Sequence, residues 1–263
     1  MNEADTGGRA SVYAEHRPGH PDPLIACRWE QRIGPAPGGH PQRVLPDACA
    51  DLIVTDGGAA HLAGPTADPA VPLLAPRSLI RGLRLRTSAI GTALGLPARL
   101  VRGGDLPLDA LLPRPDAERI AEQVWSGTRP DLPGAAPPDP RVRTALRALS
   151  SPGATAVGAA RAAGLSERQL RRLLLDHTGL GPRALQRVAR LQRFLRAADT
   201  GPDRPLADLA LIAGYADQPH LTREVRRMSG LTPAALFTER AAAEHAAADP
   251  ARDRPREEPA PGR

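Results

Sequence analysis

Gly214–Tyr215–Ala216–Asp217–Gln218–Pro219–His220–Leu221–Thr222–Arg223, continuing to Gly230–Leu231–Thr232–Pro233, reads as a turn feeding a short helix. Gly214 carries no Cβ, so it can take a positive φ and close the helix before it. Asp217 is a good N-cap, and Pro219 falls in the first turn, where a missing N–H is tolerated. Leu221, Val225 and Met228 recur at i, i+4 and i+7, which is one buried face. Thr222, Arg223 and Arg226 point roughly the other way. Gly230 ends the helix and Pro233 can open the next.

Upstream, Leu206, Leu209, Ala210 and Ala213 form an i, i+3, i+4, i+7 stripe suited to a scaffold helix. A short helix held along one side, with a basic and polar face toward solvent, is how a helix-turn-helix recognition helix is built. The same spacing also fits a small solvated helical hairpin, and this stretch alone leaves the two open.

A second copy lies earlier in the chain. Ala154 to Ala163 reads as a helix and Gly164 as a turn. Ser166 with Gln169 three residues on is a capping box. Leu170, Leu173 and Leu174 then face inward, with Arg168, Arg171 and Arg172 nearly opposite. Gly179–Leu180–Gly181–Pro182 closes this unit and starts a longer helix to about Ala198. Leu185, Val188, Leu191 and Leu195 are its expected buried side, while Arg187, Arg190 and Arg193 add positive charge. The two candidate recognition helices begin 51 residues apart, at Ser166 and Asp217. The connecting helix should run about 16 residues, roughly 24 Å, a strut that could hold two reading heads about 34 Å apart, one turn of DNA.

Charge distribution agrees. All 35 basic residues of the 263 are Arg, which discounts raw Arg number as a signal. Residues 141–240 nevertheless hold 17 Arg against 8 acids, net +9, while the rest of the chain is net −3. A basic C-terminal part beside a mildly acidic N-terminal one suggests a polyanionic partner for the former. Apolar runs fall short of the roughly 20 residues of a membrane helix. With no basic-then-apolar leader, the expectation is a cytoplasmic protein with free thiols. Cys27 and Cys49 lack metal-type spacing and form no disulfide framework.

The rest of the chain divides around these units. Residues 1–22 read as loose. Leu24 to Trp29, the end of Val44–Val54, Ala59 to Gly64 and Leu79 to Arg86 read as strands, with a hairpin at Asp56–Gly57–Gly58. Ser88 to Leu94 reads as a short helix and Asp116 to Trp125 as a longer one. His16, His20, His40 and His61 lack regular spacing and read as surface or turn residues. The proline-rich stretch at 129–138 separates residues 1–128 from a helical part at 139–240, begun by Asp139 as a cap and by the stripe Val142, Ala145, Leu146 and Leu149. A last helix is expected from Pro233 through Ala247; residues 241–263 read as its fraying end and a tail, disordered over 249–263. The expected fold class is α+β: a small, mostly β domain with a few helices, then an all-α domain with two helix-turn-helix units.

The stretch Gly214–Arg223 with Gly230–Pro233 resembles the signature of the AraC/XylS family of bacterial transcription regulators. Leu165–Ser166–Glu167–Arg168–Gln169–Leu170–Arg171–Arg172 with Gly179–Pro182 resembles that family's first helix-turn-helix. The resemblance covers about residues 139–240 and implies a seven-helix unit binding two adjacent major-groove segments. Leu45–Ile53 and Gly82–Arg86 resemble a domain attached to some members, for which no ligand is implied.

The resemblance assigns base reading to Arg168, Arg171 and Arg172 in the first unit, and to Gln218, His220, Thr222 and Arg223 in the second. Arg can pair with guanine O6 and N7, and Gln with adenine N6 and N7. Arg183, Arg187, Arg226 and Arg227 are the expected phosphate contacts, which position without specifying. Pro219 and Arg168 depart from many relatives and alter the expected base preference. The implied partners are double-stranded DNA and RNA polymerase, and no cofactor, metal or catalytic residue is implied. A compatible second hypothesis makes the N-terminal half a sensor that gates DNA binding through a small-molecule effector. A third, from another class, is a DNA-repair alkyl acceptor using Cys27 or Cys49, against which the missing metal-cysteine cluster counts.

Overall fold

The computed structural model describes residues 11–134 and 136–248, without the side chains of 244–248. Its first part is a strand-rich unit: β1 (Ser11–His16), β2 (Ile25–Ile33), β3 (His40–Pro41), β4 (Ala50–Thr55), β5 (Ala60–Ala63), β6 (Leu73–Leu74), β7 (Leu79–Leu85), α1 (Ile90–Leu94), β8 (Asp105–Pro107) and α2 (Arg114–Ser126). Six strands form one antiparallel sheet in the order β1-β2-β7-β4-β5-β8, and β3 pairs with β6 apart from it. Burial alternates along β2 and β4, as period-two strands with one face on a core require. Leu52, Leu62, Leu83 and Leu85 from that face meet Ile90 of α1 and Ile120 and Val124 of α2. On the other face, Trp29 lies across Gly82, where a Cβ would collide with its indole. The Trp29 Nε1 donates to Asp51 at 2.8 Å, and Arg84 binds the same carboxylate.

Two sequence expectations change here, and three short strands are unanticipated. Residues 11–16 are not loose but form β1, paired along β2, with Gln31 Nε2 donating to Ser11 Oγ at 2.8 Å. All six residues of β1 are half or fully exposed, so its side chains carry little hydrophobic pattern; the edge of β2 supplies its partner. The strand expected at Leu24 to Trp29 runs on to Ile33. The short strands β3, β6 and β8 are too brief to show a period. The hairpin at Asp56–Gly58 is present: Thr55 N donates to the Ala59 carbonyl, and Gly58 has φ 79°. The expectations for residues 1–10 and for the tail from 249 lie outside the described residues.

The second part is helical: α3 (Pro140–Leu149), α4 (Ala156–Ala162), α5 (Glu167–Thr178), α6 (Pro182–Thr200), α7 (Leu206–Ala213), α8 (Gln218–Ser229) and α9 (Pro233–Ala248). Asp139 caps α3 by accepting from Arg141 N at 2.8 Å. Val142, Leu170, Leu174, Leu191, Phe194, Leu209, Leu221, Val225 and Met228 share one core. Ala48 and Ala67 of the sheet part are buried in that same core, so the two parts pack against each other. The α+β class with a strand-rich N-terminal half and an all-α C-terminal half is what the sequence implies.

Candidate nucleic-acid interface

Each candidate recognition helix is held by the same local chemistry. Gly164 (φ 66°) turns the chain between α4 and α5, and Gly214 (φ 84°) does so between α7 and α8. Ser166 Oγ accepts from Gln169 N at 3.3 Å while Gln169 Oε1 accepts from Ser166 N at 2.9 Å. Asp217 accepts from His220 N at 2.6 Å. At the far ends a buried hydroxyl stops each helix. Thr178 Oγ1 donates to the Leu174 carbonyl at 2.8 Å and accepts from Leu180 N at 3.2 Å. Ser229 Oγ donates to the Val225 carbonyl at 2.8 Å and accepts from Leu231 N at 3.1 Å. Gly179 and Gly230 follow in the left-handed region. Cap, core leucine, terminating hydroxyl and glycine all recur at an offset of 51 residues. The sequence shows the caps and glycines; the terminating hydroxyls are ordinary Ser and Thr until the fold buries them.

The faces opposite the core are open. Arg168, Arg171 and Arg172 are exposed on α5, and Arg168 and Arg171 have no ion pair or hydrogen bond among the described residues. Arg172 Nε stands 3.9 Å from Asp176 and its side chain is 87% exposed. On α8, Gln218, Arg223, Arg226 and Arg227 are exposed and Thr222 is half-buried. His220 is held differently: its Nδ1 accepts from Ala216 N at 3.3 Å and its ring meets the edge of Tyr215. Only its Nε2 edge is left for another partner. Arg183 is exposed, while Arg187 is half-buried with Nε lacking a partner among the described residues. Arg190 lies over the Tyr215 ring at 5.6 Å, so part of the connecting helix's charge rests on the second unit's turn.

A groove of about 570 Å³ runs beside α5, lined by Arg168, Arg171, Arg172, Leu175, Asp176 and, from the sheet part, Arg99. Arg99 and Asp176 form an ion pair across it. No sequence pattern connects residue 99 with the helix 77 positions later.

Burial pushes the Cys27 thiol up to about 11, and burial with the Asp47 charge pushes Cys49 up to about 12. Neither is poised as a thiolate at neutral pH. Among the described residues, His, Cys, Asp and Glu nowhere gather in a group that could hold a metal. No helix among them is long and apolar enough to cross a membrane.

Residues 159–239 match a family model described as a helix-turn-helix domain, and residues 16–107 match one described as a domain of unknown function, DUF6597. No curated protein matches the chain. Among solved structures, ToxT from Vibrio cholerae O395 overlaps at TM-score 0.41 and 8% identity, covering 87% of this chain and 96% of that one. An apo ToxT variant from V. cholerae strain SCE256 overlaps at TM-score 0.40 and 8% identity, covering 87% and 97%. Residues 159–239 thus carry a helix-turn-helix domain of the AraC type, and residues 16–107 the domain of unknown function.

Proposed function

We propose that the protein regulates transcription by laying α5 and α8 into successive major grooves of one duplex. The observation that carries this reading is the repeat: two capped helices at a 51-residue offset, each with guanidiniums facing solvent. The 19-residue α6 between them is about 28 Å long at 1.5 Å per residue, close to one turn of DNA. Arg168, Arg171 and Arg172 read bases from α5; Gln218, Thr222 and Arg223 read them from α8, with His220 offering Nε2 alone. Arg183, Arg187, Arg226 and Arg227 take phosphates and set the register. Residues 139–240 act as the DNA-binding domain and residues 1–128 as a regulatory domain, joined through 129–138, with 241–263 outside both. RNA polymerase is the partner of the bound complex, a small molecule of the N-terminal part its effector, and neither half works as an enzyme.

The test is selection of duplexes from a randomised pool by the full chain, followed by hydroxyl-radical footprinting of the winners. Two protected windows about 10 base pairs apart are expected. One window, or no enrichment, overturns the reading.

A further inference from the structure

We propose that the strand-rich part itself grips DNA: Arg99 takes a backbone phosphate at the rim of the groove that α5 occupies. This rests on the duplex-binding reading above and extends it to a surface outside the helix-turn-helix domain.

Placement comes first. The turn Ala98–Leu100 packs on the last turns of α5, and two glycines let main chain meet main chain there. A Cβ on Gly179 would stand 2.7 Å from Pro65 Cγ and 2.9 Å from the Ala98 carbonyl oxygen, and one on Gly91 would collide with the Asp176 carbonyl. Contacts that close leave little room for sliding, so the position of Arg99 beside α5 is set by backbone rather than by a flexible side chain.

Charge comes second. Four arginines, Arg99, Arg168, Arg171 and Arg172, line one groove with a single acidic residue, Asp176, and of these Arg99 and Arg172 stand at its carboxylate. The Arg99 side chain is half exposed while paired to that carboxylate. The cations left over repel one another unless a polyanion joins them. A duplex presents a negative charge about every 1.7 Å of its axis, and a helix in the major groove, about 12 Å wide, has phosphates along both rims. Arg99 lies beside the last turn of α5, away from its N-terminal reading end, where a rim phosphate would run.

Asp176 gives the pair a second use. A carboxylate in the last turn of α5 opposes the helix dipole and repels phosphate. Arg99 masks it, so docking of the strand-rich part makes the face of α5 uniformly attractive to DNA.

The experiment is a fluorescence-anisotropy titration of the full chain with a labelled random-sequence duplex over a range of salt concentrations. Arg99→Ala and Arg99→Lys are compared with the natural chain, each also in an Asp176→Asn background, with thermal melts as a check on folding. Loss of one phosphate contact lowers the slope of log Kobs against log salt by about 0.9. That drop is expected for Arg99→Ala in both backgrounds, with Arg99→Lys retaining the slope and Asp176→Asn alone not reducing it. An unchanged slope for a folded Arg99→Ala overturns the proposal and leaves Arg99 as a docking residue only. So does a drop that disappears with Asp176→Asn. Tighter binding by Arg99→Ala overturns it in favour of a strand-rich part that blocks α5. A natural chain that binds no duplex at low salt sinks the duplex-binding reading itself.

Discussion

Gln192 Nε2, midway along α6, donates to the Pro46 carbonyl oxygen at 2.9 Å, so the helix that joins the two helix-turn-helix units also holds the loop before β4. Arg43 adds a second tie, donating to the Ser229 carbonyl at 2.7 Å and to Glu239 at 2.7 Å. With Ala48 and Ala67 inside the helical core, the two parts share buried surface as well as hydrogen bonds. Gln192→Ala should lower stability by about 1 kcal/mol, the usual worth of one hydrogen bond with a half-buried carbonyl left behind. Urea unfolding of the natural chain should show a single transition. Two well-separated transitions would mean that these contacts do not couple the parts.

Base and phosphate contacts should separate by mutation. Arg172→Ala is expected to weaken binding to selected duplexes by about 1–3 kcal/mol and relax one base position. Arg187→Ala should weaken selected and random duplexes alike and reduce the salt slope by about 0.9. If both variants lower the two kinds of binding equally, the division of roles is wrong.

The buried hydroxyls offer a test of local architecture. Thr178→Val keeps the shape but removes the acceptor of the Leu180 N–H, and both residues are fully buried. An orphaned buried N–H costs about 1–3 kcal/mol. Ser229→Ala should orphan Leu231 N at the matching position of the second unit, at a smaller cost because Leu231 is half-buried. Chemical denaturation reads both, and a neutral result for either would show that its hydroxyl is dispensable.

Stability should also depend on pH through His177. Burial lowers its pKa below the ordinary 6.5, with the Arg141 charge adding and the Asp139 charge opposing. The unfolded chain therefore takes up this proton at a higher pH than the folded one. The contribution is intact above about pH 6.5 and is lost as pH falls through the folded value. Melting temperature should drop as pH falls below 6.5, and His177→Leu should flatten that drop. An equal slope in the variant would place the pH dependence elsewhere.

The helical half was legible because its signals are local. A capping box spans three residues, a glycine stop one, and a leucine stripe two turns, so Ser166, Gln169, Gly214 and Asp217 announce their helices without knowledge of the rest. The open arginine faces follow from the same period, since whatever lies opposite a buried stripe faces away from it. In the strand-rich half β2, β4, β5 and β7 were readable from their apolar runs and from the hairpin glycines between β4 and β5. β1, β3, β6 and β8 were not, because each exists only through a partner supplied from elsewhere.

What the chain alone determined is thus which residues sit on one helix face and where each helix starts and stops, since these depend on bonds within a few positions. Which helix end lies against the strand-rich part, whether His220 turns its ring onto Tyr215, and that Arg99 meets Asp176 were decided only by tertiary packing. Those contacts join groups brought together by the closing of two cores, and no periodicity in sequence encodes a meeting across 77 residues.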